Sequence, residues 1–115
     1  MEPFYYILNG WDVEPCTLHE HLNWRYTKPD LQVGFNKMVG FGQVTVTVST
    51  VFIGINLAFA FNDRPPAIFE TRVFGGELNQ RTWRYATYKQ AEAGHRQILE
   101  LCQAIILAPP DFIQK

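Results

Sequence analysis

At 115 residues, 47% of them hydrophobic and 15% aromatic, the chain is too apolar for disorder and sized for one domain over residues 1–115 with a core of its own. Ten basic residues face eleven acidic ones for a formal net charge of −1, which excludes the broadly basic surface behind non-specific nucleic-acid binding. Cys16 and Cys102 are too few for a disulfide framework and no leader-like segment opens the sequence, so a cytosolic protein with free thiols is expected.

Residues 4–8 form an apolar and aromatic run ended by Asn9-Gly10, a dipeptide that turns cheaply because it tolerates positive φ; a first strand is expected there. Thr17-Leu18-His19-Glu20 has capping-box spacing, in which the Thr hydroxyl and the Glu carboxylate satisfy free amide donors. It predicts a short helix to about Thr27, with Leu18, Leu22 and Arg25 or Tyr26 on its inner side and Pro29 as its stop. Three glycines between residues 33 and 42 suggest a twisted strand, or a mobile loop, turning at Gly40 to Gly42.

Residues 38–62 carry no formal charge, a run longer than the roughly 20 apolar residues that cross a bilayer. Inside it, Val44, Val46 and Val48 alternate with Thr45, Thr47 and Ser49, the period of a half-buried strand, so no membrane span is expected. The apolar parity then shifts to Val51, Ile53 and Ile55. Either a β-bulge near Ser49-Thr50 or burial of both faces explains the shift, and the bulge is favoured because Thr50 adds no apolar surface to either side.

Residues 56–66 read as a connection, with Phe59 and Phe61 either folded onto the core or exposed to a partner. Residues 67–74 form the next strand, Phe69 and Val73 on one side and Glu70 and Arg72 on the other. Gly75-Gly76 turns the chain, and residues 82–86 return with Trp83 and Tyr85 facing the same way. Thr87-Tyr88-Lys89-Gln90 is a second capping box. It opens an amphipathic helix with Ala91, Gly94, His95, Ile98, Leu101, Cys102 and Ile105 on its stripe, ended by Pro109-Pro110.

Candidate chemistry is sparse. His19-Glu20-His21 places its histidines two apart on a helix, on different sides, so no metal is expected even with Cys16, His95 and Cys102 considered. Cys16 precedes a helix start, whose dipole lowers a thiol pKa, but no partner signature accompanies it. Cys102 lies on the apolar stripe and reads as core. Gly40-Phe41-Gly42 lacks the remainder of a phosphate-cradling loop. No catalytic residues and no cofactor are expected. The most interesting polar group is Glu70, Arg72 and Arg84, which adjacent strands bring together to hold an acidic or phosphate group, or simply as a cross-strand ion pair. Arg81 and Lys89 extend this into a local basic patch or a solvated edge. Trp11, Trp24 and Tyr26 are the aromatic candidates for a binding surface, against core anchoring as the ordinary alternative.

Ser49-Thr50-Val51-Phe52-Ile53-Gly54, Phe69-Glu70-Thr71 with Val73-Phe74-Gly75-Gly76, and Arg84-Tyr85-Ala86-Thr87 leading to Ala91-Glu92-Ala93-Gly94-His95 together resemble a widespread group of small uncharacterised proteins encoded by tailed bacteriophages and prophages. The resemblance covers the second half of the chain. Tyr88 stands where the group has Trp, and Arg72 where it has an apolar residue. The resemblance implies a phage-encoded protein working in the host cytosol, and transfers no catalytic residue.

The fold expected is α+β: one antiparallel sheet of four to five strands, with the C-terminal helix and the shorter first helix on one face. The function expected is a non-enzymatic accessory protein that binds another macromolecule, with a protein as the expected partner and an inhibitor of a host defence complex as one form. Its binding residues are Glu70, Arg72, Arg84, Phe59, Phe61 and Trp11. A minor virion or assembly component is the alternative within that class. The alternative outside it is a small enzyme hydrolysing a nucleotide or phosphoester through Glu70, Arg72, Arg84 and His95.

Overall fold

In a computed structural model the described residues are 4–58 and 65–107; Phe59, Phe61 and the expected stop at Pro109-Pro110 lie outside them. Strands β1 (Tyr5–Asn9) and β2 (Asp12–Cys16) form a hairpin, and helix α1 (Leu18–Tyr26) follows. Strands β3 (Gln32–Val39), β4 (Thr45–Phe52), β5 (Phe69–Phe74) and β6 (Thr82–Tyr85) form an antiparallel meander in chain order, and helix α2 (Tyr88–Leu107) crosses it. No described helix is long and apolar enough to cross a membrane. The α+β class is as expected, but there are two sheets, of two and four strands. The separation arises at Gly10 (φ 65°), which folds β1 back on Asp12–Cys16, a polar segment containing Pro15 that does not read as a strand.

The hairpin joins the larger sheet at one end. The Tyr6 amide donates to the Gly54 carbonyl (2.8 Å) and the Asn56 amide to that of Phe4 (2.8 Å), so β1 runs beside the chain leaving β4. Gly54 (φ 76°) makes that exit bend; a side chain there would meet the His21 ring. The parity shift in the sequence marks this exit. Val46, Val48, Thr50 and Phe52 are all buried on one face and β4 pairs with β5 without interruption. A bulge does occur opposite Thr50 and Val51, but in β3, where Gln32 pairs with Val51 and Gly34 with Thr50. The extra residue is Val33, so the partner strand bends and β4 keeps its face.

Helix α1 has the expected capping box: the Thr17 amide donates to Glu20 Oε1 (2.9 Å) and the Glu20 amide to Thr17 Oγ1 (3.1 Å). Of the residues expected on its inner side, Arg25 faces inward and the others do not. Leu18, Leu22 and Tyr26 are 47%, 55% and 89% exposed, whereas His21 is buried and Trp24 packs against Phe52. Hydrogen bonds decide this orientation: His21 Nδ1 donates to the Tyr6 carbonyl (2.8 Å) and the Arg25 guanidinium to the Ile53 carbonyl, tying the helix to backbone oxygens of β1 and of the exit from β4.

Helix α2 begins at the expected second box, the Gln90 amide donating to Thr87 Oγ1 (3.1 Å). Ala91, His95, Ile98 and Cys102 are buried against the sheet. One core cluster joins Tyr6, Phe52, Ile68, Phe69 and Ala91; a second joins Val46, Val48, Val73, Ile98 and Cys102. The shortest molecular dimension is 19 Å, room for one helix layer on one sheet layer. The far face of the four-stranded sheet is therefore uncovered by any described element.

Candidate functional site

Between the two core clusters, where α2 crosses the sheet, runs a row of polar side chains. Tyr85 Oη donates to Thr71 Oγ1 (3.0 Å), Thr71 and Thr50 share a hydrogen bond (2.5 Å), Thr50 Oγ1 meets His95 Nδ1 (2.7 Å), and His95 Nε2 meets Asn36 Oδ1 (2.8 Å). The amide oxygen of Asn36 only accepts, so Nε2 carries the imidazole hydrogen and Nδ1 accepts from Thr50. Thr50 then accepts from Thr71, and Thr71 from Tyr85. Thr71 and Thr50 each give one hydrogen and take one, with the Tyr85 hydroxyl as the first donor and a neutral histidine as the last acceptor. Burial holds the His95 pKa below the usual imidazole value and raises that of the Tyr85 phenol. Gly34 and Gly94 admit the two rings, since a side chain at Gly34 would strike His95 and one at Gly94 would strike Tyr85.

The outer face carries the other parity. Across it, Lys37 pairs with Thr47 and Thr47 with Phe74; Phe35 pairs with Ser49, Ser49 with Arg72 and Arg72 with Thr82; Val51 pairs with Glu70 and Glu70 with Arg84. The Arg84 Nε donates to Glu70 Oε2 (3.1 Å), and Arg72 Nη2 lies 3.6 Å from Glu70 Oε1. The structure thus assembles Glu70, Arg72 and Arg84, with both guanidinium groups half-exposed. Arg72 Nε is buried without a partner among the described residues, so Arg72 is the less firmly held. Phe35 and Phe74 stand 55% and 43% exposed on this face, with Val39 beside them.

His95 is not part of this group. Glu70 precedes Thr71, and alternation sends their side chains to opposite faces; Thr71 bonds the row that reaches His95 from the helix side. The hydrolytic set of Glu70, Arg72, Arg84 and His95 is therefore not brought together. A hollow of about 350 Å³ near the β6 end is lined by Pro66, Ala67, Arg84, Tyr85 and Gln90, and takes in one member of the set. Trp11 sits exposed at the hairpin turn with its ring 6.3 Å from that of Tyr88. Trp24 is core, as the ordinary alternative had it, and Tyr26 is not.

Among the described residues no group of three metal-ligating side chains converges. Both cysteines are unpaired. The expected activation of Cys16 is reversed: desolvation, and then the negative charge of Glu20, raise its thiol pKa, and desolvation raises that of Cys102.

Sequence reasoning missed Phe35, Lys37 and Phe74. Their signal was the Thr45, Thr47, Ser49 alternation, which marks the outer parity of β4 and, once strands are paired, of its neighbours. No protein-family model, curated protein or solved structure matches the chain.

Proposed function

We propose that this is a non-enzymatic accessory protein that acts by binding a protein partner, phage-encoded as the resemblance implies, with inhibition of a host defence complex as its concrete form. The observation that carries this is the ridge of α1. Leu18, Leu22 and Tyr26, spaced by four, lie along one line of the helix and face solvent, while polar bonds from the other side fix the helix in place. A rigid helix presenting apolar anchors at i, i+4 and i+8 is the geometry by which amphipathic helices enter the groove of another protein.

Self-association along the ridge is the weaker fit. A stable interface buries about 800 Å² per partner, far more than three side chains of a nine-residue helix meeting their own copies can supply. A concave apolar groove that wraps the ridge gains area from its own walls. The test is affinity capture from infected cells with the wild-type chain and with the Leu18→Asp, Leu22→Asp double variant, both monitored for folding by circular dichroism. The proposal expects a host protein retained by the wild type and lost with the folded variant. Equal retention by both removes the ridge from the interaction.

A further inference from the structure

We infer that the open sheet face is a binding platform for single-stranded nucleic acid. Four positions form a quadrilateral on it, Phe35 and Lys37 on β3 and Arg72 and Phe74 on β5, with the hydroxyls of Thr47 and Ser49 on β4 between them. The aromatic rings occupy one diagonal and the cations the other. From a strand spacing of about 4.8 Å and a rise of about 3.4 Å per residue, the two rings are rooted about 12 Å apart. Exposed rings on a four-stranded sheet hold unstacked bases in this way, two or three at a time. Lys37, Arg72 and Arg84 meet the phosphates, and Thr47 and Ser49 offer donors and acceptors to sugars or base edges.

The local charge favours this ligand even though the whole chain is slightly acidic. On this face three cations stand against one carboxylate, and Glu70 already engages both arginines, orienting them without cancelling Lys37. An acidic peptide satisfies the cations but leaves two phenyl rings in water; a nucleotide strand satisfies both diagonals. Duplex DNA is disfavoured, because a flat face carries no helix or ribbon to enter a groove. These residues are separate from the α1 ridge, so either surface can fail its test alone.

The experiment is fluorescence anisotropy with short labelled oligouridylate and oligothymidylate, a duplex of equal length, and an oligoglutamate peptide. For a single strand neutralised by three cations, affinity is expected to fall about 20-fold between about 50 and about 200 mM salt. Phe35→Ala and Phe74→Ala are each expected to weaken binding about 5- to 150-fold with the salt slope retained, while Lys37→Gln lowers the slope by about 0.7. Phe35→Tyr, which keeps a stacking face, is expected to bind like the wild type and separates stacking from a structural role. Oligouridylate against oligothymidylate distinguishes RNA from DNA as the source. The inference is overturned if neither single strand binds, if oligoglutamate binds as tightly, or if both folded Phe→Ala variants bind like the wild type.

Discussion

His95 pays the desolvation of a buried ring and returns it through two hydrogen bonds, and its position has a pH consequence. Facing it are Asn36 from β3, Thr50 from β4 and, through the hydroxyl row, Thr71 and Tyr85 from β5 and β6, with Glu92 and Arg96 beside it on α2. Both ring nitrogens are engaged by neutral partners, Thr50 and Asn36, and desolvation disfavours a proton on the ring. The native ring therefore binds a proton less readily than the unfolded one, and the unfolded chain holds the excess protons as pH falls. Stability is expected to be complete above the usual imidazole value of about 6.5 and to decline below it until the lower native value is reached. Urea midpoints across that range test this, and His95→Gln should flatten the slope. Gly94→Ala offers a second test. In an ordinary helix the change gains about 1 kcal/mol, but here the methyl meets a Tyr85 ring tethered to Thr71, and a net loss of about 1–3 kcal/mol is expected. In a Tyr85→Ala background the same substitution should stabilise, a sign reversal that a double-mutant cycle reads directly.

Among the elements, β5, β6 and α2 were legible because local signals agreed: alternation, a glycine turn and a capping box all placed the same boundaries. Gly94, on the stripe of α2, is where that helix comes close against the Tyr85 ring. Helix α1 was legible in its start and not in its facing. Periodicity assigns the leucine line to the core, whereas bonds from His21 and Arg25 to distant backbone carbonyls turn the helix the other way, and such long-range partners leave no trace in local spacing. The inversion is testable by stability alone. Leu22→Lys is expected to change unfolding free energy by no more than about 0.5 kcal/mol, as for an exposed site, where a core leucine would cost about 2–5 kcal/mol on truncation. The parity shift after Thr50 was read as a bulge in β4. It is the end of the strand, and the bulge belongs to β3, because residues that correct a register can sit in either partner.

At the scale of the whole molecule, the described elements form two layers and none of them covers the outer sheet face, and that face holds what the composition concealed. A net charge of −1 sums acidic residues of the hairpin and α1, such as Asp12, Glu14 and Glu20, with cations gathered on the far side of the sheet. Pairing register is what gathers Lys37, Arg72 and Arg84, and register depends on a meander that composition cannot express. The cluster of Glu70, Arg72 and Arg84 was visible from alternation and a hairpin; the rings flanking it required β3 to be placed. Glu70→Gln, which keeps an acceptor for Arg84, is expected to leave stability within about 1 kcal/mol, as for an ion pair whose arginines stand half in solvent, while strengthening capture of any polyanion by that face. Thermal melts and heparin retention measure the two effects separately.

The hydroxyl row beneath α2 has a direction. Tyr85, Thr71 and Thr50 each pass a hydrogen toward His95, and because Thr71 and Thr50 each also take one, neither of these two can turn alone. A proton added to the imidazole makes Nδ1 a donor, and Thr50, Thr71 and Tyr85 must then rotate in concert. The phenol hydrogen is released toward the β6 side while Nε2 keeps its bond to Asn36 at the β3 side. A proton taken up at His95 is thereby felt at the Tyr85 hydroxyl, across three strands of the sheet.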